Sequence, residues 1–92
     1  MNVIDNRKDS RYEAPVDGGL AFVDYRLKEG RIVLAHTEVP KVAEGHGIGD
    51  ALVRFVLDDA RARGLSVVPL CPFIAQWIER HPDYKDLVTT SG

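Results

Sequence analysis

The sequence predicts an α+β fold: a mixed, mainly antiparallel sheet with one βαβ unit and two helices. Three observations predict it. Up to Val39, apolar and polar residues alternate at the period of a half-buried strand. From Ile48 the period changes to that of an amphipathic helix. Ser66 to Leu70 is then short and almost continuously apolar, as expected of a strand buried on both faces.

The first ten residues are polar and read as an edge strand that continues through Tyr12 and Ala14. Asp17-Gly18-Gly19 signals a turn. In Leu20–Leu27, alternation puts Ala21, Val23, Tyr25 and Leu27 on one face. Lys28-Glu29-Gly30 is a second turn, and Arg31–Val39 a second long strand. Strict alternation there groups Ile32, Leu34, His36 and Glu38 on one face, with Val33, Ala35, Thr37 and Val39 on the other. Pro40 ends the strand because it has no N–H for the ladder.

After a polar loop, Ile48, Leu52, Phe55, Val56 and Ala60 form a helical stripe. Asp50, Arg54, Asp58 and Arg61 oppose it at ion-pair spacing. Gly64 is a helix stop. Cys71-Pro72 ends the next strand, and Phe73–Arg80 reads as a short helix with Phe73 and Trp77 in the core. His81-Pro82 stops that helix. Asp83–Val88 is expected to close the fold, with the last four residues frayed. The predicted order is β-β-β-α-β-α.

The 92 residues suit one domain, 1–92, with a small core. Hydrophobic residues make up 45% and charged ones 28%, a soluble globular balance. A net charge of −2 gives no overall basic field, which argues against nucleic acid or anionic membrane as a partner. Arg7, Lys8 and Arg11 are interrupted by Asp5 and Asp9, a solvated edge. Cys71 is the only cysteine, so no internal disulfide forms and a reducing cytoplasm is the expected compartment. The N-terminus lacks the apolar run of a signal peptide. A monomer or weak dimer is expected, because a small domain with an open sheet edge can pair with itself.

The βαβ unit locates a site. Its strands are parallel, and ligands in such units favour the carboxyl ends of the strands beside the crossover helix N-terminus. Val39 ends one strand, Cys71 ends the other, and Gly45-His46-Gly47-Ile48-Gly49 opens the helix. Glycines let the backbone turn its N–H groups toward a ligand, and a helix start already has unpaired N–H groups. Together they make an anion cradle suited to a pyrophosphate. The turn is not a dinucleotide fingerprint, since Asp50 stands where the third glycine belongs. No Gly-Lys-Ser/Thr follows, so it is not a P-loop either.

Glu44-Gly45-His46-Gly47-Ile48-Gly49 with Ala51-Leu52-Val53 resembles the pyrophosphate-binding turn of the GNAT N-acetyltransferase superfamily, Gln/Arg-x-x-Gly-x-Gly/Ala. Gly47 and Gly49 match; Glu44 replaces the usual Gln or Arg. His36-Thr37-Glu38-Val39-Pro40, Val68-Pro69-Leu70-Cys71-Pro72-Phe73 and His81-Pro82-Asp83-Tyr84 extend the resemblance to the short, single-domain (YjdJ-type) branch. The resemblance implies a minimal GNAT-like fold with acetyl-CoA as cosubstrate and an unidentified amine as acceptor. It implies pantetheine between the two strand ends, held by backbone near Val39. Amides of Gly45, His46, Gly47, Ile48, Gly49 and Asp50 would hold the pyrophosphate. Pro72, Phe73, His81 and Tyr84 would line the coenzyme's path. Longer members continue past the second helix with elements that shape the acceptor site. Their absence here motivates an alternative, a non-catalytic coenzyme A or acyl-CoA-binding or sensing module.

Acetyl transfer needs a neutral amine, a donor for the oxyanion and a fate for the thiolate. Cys71, at a strand end in the expected cleft, could accept the acetyl group or protonate the leaving sulfur. Its plainer reading is a small buried hydrophobe. His36, expected on the neighbouring strand, could activate Cys71 or the amine; otherwise it is a hydrogen-bonded strand residue. Glu38 shares its expected face and could orient it or act as base. The spacing of His36, His46, Cys71 and His81 matches no zinc-finger pattern, so no metal is expected.

Overall fold

The computed structural model describes residues 1–89. Its sheet has five strands in sequence order: β1 (Ile4–Asn6), β2 (Arg11–Val16), β3 (Gly19–Lys28), β4 (Arg31–Glu38) and β5 (Ser66–Pro69). The pairings from β1 to β4 are antiparallel, and β4–β5 is parallel. The crossover helix α1 spans Ile48–Ala62, and α2 spans Pro72–Arg80. Short 3₁₀ segments cover Lys41–Ala43 and Pro82–Leu87. This is the expected mixed, mainly antiparallel α+β architecture.

The N-terminal region differs from expectation. A hairpin of two strands replaces the single edge strand, because the chain reverses between Asn6 and Arg11. The Asn6 side chain accepts from the Asp9 N–H at 3.2 Å, and Ser10 adopts φ 53°, so local side-chain bonding drives the reversal. Of the four C-terminal residues expected to fray, 90–92 lie outside the described residues. The Thr89 N–H donates to the Val67 carbonyl at 2.9 Å.

The core lies on one face of the sheet. Tyr12, Ala21, Val23, Tyr25, Ile32 and Leu34 meet Leu52, Val53, Val56, Leu57 and Ala60 of α1. Ile74, Trp77 and Ile78 of α2 join the same cluster. The buried stripe of α1 is therefore rotated from the expected one. Phe55 sits at its rim, its ring edge-on to Tyr12 at 6.2 Å, and is substantially exposed. A Schellman closure ends α1: Leu65 N–H donates to the Ala60 carbonyl at 2.9 Å and Gly64 N–H to Arg61 at 3.1 Å.

A bulge in β4 decides which side chains face the site. Tyr25 pairs with Leu34 and Asp24 with His36, so Ala35 is an extra residue without a partner on β3. One extra residue swaps the faces of everything beyond it. Leu34 faces the core, but past the bulge Thr37, paired with buried Val23, takes that side. His36 and Glu38, paired with Asp24 and Phe22, fall on the opposite face.

Candidate functional site

β4 and β5 pair only from Arg31↔Ser66 to Leu34↔Pro69. The Cys71 N–H donates to the Leu34 carbonyl at 3.0 Å, and there the strands part. β4 runs on to Glu38, whereas Pro72 begins α2 instead of prolonging β5. Proline suits that position, its missing N–H being one that a helix start does not use. A cleft of about 530 Å³ opens at the divergence. Thr37, Val39, Ile48, Phe73 and Trp77 are among its walls. Its volume is in the range of small-molecule sites.

The glycine turn forms one rim. Gly47 is the N-cap of α1 at φ 74°, and Gly45 has φ 84°. A Cβ at either would meet nothing within 4 Å. These glycines are therefore required by backbone conformation, and the space beside them is open. No side chain caps α1. Ala51 is the first residue of α1 whose N–H finds a helical acceptor, Gly47 O at 3.0 Å. The amides of Ile48, Gly49 and Asp50 precede it in the first turn, where the helix dipole is positive. This arrangement fits a phosphate-bearing ligand.

Asp50 tempers that charge through contacts with α2. Its Oδ1 accepts from Trp77 Nε1 at 2.8 Å and lies 3.8 Å from His81 Nε2. Its Oδ2 is 3.8 Å from Arg54. His81 stacks on Trp77 with ring centroids 3.7 Å apart and planes 12° from parallel. His81 Nδ1 is 2.7 Å from the Trp77 carbonyl, which can only accept, so the proton sits on Nδ1. Trp77, expected in the core, is buried and also lines the cleft. Phe73, expected in the core as well as beside the coenzyme, is 46% exposed and lines the cleft, so its core placement is corrected. A Cβ on Gly49 would come within 3.0 Å of its Cζ, which marks how closely the two pack.

Several expected site residues stand elsewhere. Tyr84 presses its ring edge on Trp77 at 5.3 Å and donates its hydroxyl to Asp58 at 2.7 Å, supporting the cleft wall from behind. That hydrogen bond, with some burial, raises its phenol pKa. His46, Pro72 and Cys71 are not among the lining residues. The expected pairing of His36 with Cys71 does not form. Cys71 is 5% exposed, and its thiol donates to Thr37 Oγ1 at 3.5 Å. His36 Nε2 instead meets Glu38 Oε2 at 2.9 Å, with side chains 54% and 61% exposed. Its ring lies 6.2 Å from Phe22, a neighbour on that face. The bulge at Ala35 is the physical reason.

Sequence reasoning missed Thr37 and Arg80, both of which line the cleft. Strict alternation concealed Thr37. A basic residue in the last turn of a helix is common, because it complements the dipole, and this concealed Arg80. Among the described residues, no group of three or more His, Cys, Asp or Glu could hold a metal ion. No helix among them is long and apolar enough to cross a membrane.

Splayed parallel strands, a glycine-capped crossover helix and a cleft between them define the class. A model of the GCN5-related N-acetyl-transferase family matches residues 11–87, and the chain belongs to that family. Acyl transfer is the chemistry of the family. Among solved structures, the NMR solution structure of a GCN5-like protein from Staphylococcus aureus is similar, with a TM-score of 0.76 at 24% identity. The match covers 97% of this chain and 88% of that one, so the two share a fold. A search of curated proteins gave no match.

Proposed function

We propose that this protein binds acetyl-CoA in the cleft and transfers its acetyl group to an amine. The observation that carries the reading is the uncapped, glycine-led start of α1 opening onto an apolar-walled cleft. Amides from Gly45 to Asp50 suit the pyrophosphate. Val39, Ile48 and Phe73 suit the pantetheine arm. The thioester would then lie toward the inner end, where Thr37 and Cys71 meet.

In the transfer, the neutral amine nitrogen bonds to the acetyl carbon and gives up one proton, the carbon–sulfur bond breaks, and the departing thiolate takes up a proton, so that amide and free coenzyme A thiol result. With His36 and Glu38 on the other face, the catalytic assignment narrows to Cys71. Its thiol, reached through the lining residue Thr37, would protonate the leaving sulfur or carry the acetyl group first. A free thiol of this kind suits the reducing cytoplasm.

One observation favours the alternative of a non-catalytic coenzyme A-binding module: the Cys71 thiol is buried and engaged with Thr37. Thioester consumption with a panel of amines separates the two. Under the catalytic reading, Cys71→Ala cuts turnover at least tenfold while His36→Ala leaves it near wild type. Intact mass then distinguishes an acetylated Cys71 from direct transfer. Binding without turnover for every amine would leave the module.

A further inference from the structure

We infer that Arg80 supplies the cation that position 44 of this chain lacks, gripping the coenzyme's phosphates from α2. The inference rests on the coenzyme reading of the cleft. Glu44 lines the cleft where the turn that this sequence resembles carries Gln or Arg. Asp50 lines it too, although its carboxylate is engaged by Trp77. A helix start offers about half a positive charge. That is little against a pyrophosphate with a carboxylate beside it.

Arg80 is the one Lys or Arg among the residues lining the cleft. The arginines of α1 and its C-cap are committed: Arg54 to Asp50, Arg61 to Asp86 and Arg63 to Asp59. Arg80 makes no ion pair or hydrogen bond with the described residues and is exposed. Its location follows from helix geometry. Trp77, Arg80 and His81 stand at i, i+3 and i+4, one helix face. The flanking members both reach Asp50 in the first turn of α1, Trp77 Nε1 at 2.8 Å and His81 Nε2 at 3.8 Å. The Trp77 bond thus joins the end of α2 to the first turn of α1, and Arg80, on the same helix face, lines the cleft there. A guanidinium fork matches paired phosphate oxygens better than an ammonium does. Dipole complementation explains a cation in the last turn of α2, but not one in a cleft where neither it nor the Glu44 carboxylate has an ion-pair partner among the described residues.

The test titrates coenzyme A into the wild-type chain, Arg80→Gln, Arg80→Lys and Glu44→Gln at low and high salt. Arg80→Gln should weaken binding about tenfold, the loss of one charge-assisted pair. It should also flatten the salt dependence, which a merely structural defect would not do. Arg80→Lys should recover part of the loss, and Glu44→Gln should bind more tightly than wild type. Wild-type affinity and salt dependence in Arg80→Gln would overturn this inference alone. No binding of coenzyme A by the wild-type chain would overturn it together with the coenzyme reading.

Discussion

Gly47 holds φ 74° at the head of α1, in the left-handed region where a side chain is strained. Space is not the constraint, since a Cβ there meets nothing within 4 Å. Gly47→Ala should therefore cost about 1–2 kcal/mol of stability from backbone strain alone. Chemical denaturation measures it, and an unchanged midpoint would show that the turn relaxes. The tyrosines make a separate prediction. Burial, then a hydrogen bond to Asp5 at 2.6 Å, pushes the Tyr25 phenol up to about 12. Burial and a 2.5 Å bond to Asp59 raise Tyr12 too. Folding thus favours the protonated phenols, whose unfolded pKa is about 10. Their contribution is complete below that pH; Tyr25's is lost as pH rises through about 12, and that of Tyr12, which is raised further, is lost at still higher pH. Stability should fall steeply above pH ~10, and Tyr25→Phe should make the fall shallower. An unaltered alkaline profile in that variant would contradict the assignment.

At the scale of elements, the start of α1 is joined to α2 through Trp77 and Asp50. Trp77→Phe keeps the aromatic packing but removes the donor to a carboxylate, a bond worth about 1.5–3 kcal/mol. It should destabilise the protein by that order in urea unfolding, and wild-type stability would mean the bond is not formed. The βαβ unit that organises these elements was legible because its signals are periodic: alternation up to Val39, a helical stripe from Ile48, and an apolar run at Val67-Val68. The glycine turn was legible for a local reason, since only a few structures need three glycines alternating at a helix start. The bulge at Ala35 was not legible. Nothing in Leu34-Ala35-His36 breaks the pattern, because the extra residue is defined by its missing partner on β3. That one residue moved His36 and Glu38 off the site and brought in Thr37. Arg80 was hidden likewise, its role depending on where α2 ends relative to α1. The reversal after Asn6 did carry a signal in the Asn6–Asp9 spacing, which the polar character of the segment obscured.

For the whole molecule, one apolar core fixes both helices against one face of the sheet, and the cleft opens where that sheet divides. Site and stability are therefore coupled through residues such as Leu34. It is fully buried, and its carbonyl accepts the Cys71 N–H at the point of divergence. Leu34→Ala should cost about 2–5 kcal/mol by leaving a cavity. In thermal unfolding the midpoint should drop accordingly, and a loss under 1 kcal/mol would mean that the core closes around the gap. The central claim, that the cleft takes a coenzyme A thioester on the start of α1, is tested most directly by titrating acetyl-CoA and following backbone amide shifts. Saturable shifts concentrated at Gly45–Asp50 are expected, with Val39 and Phe73 responding and the exposed His36–Glu38 pair silent. No shift at those amides at millimolar ligand, or shifts confined to the His36 face of the sheet, would contradict it.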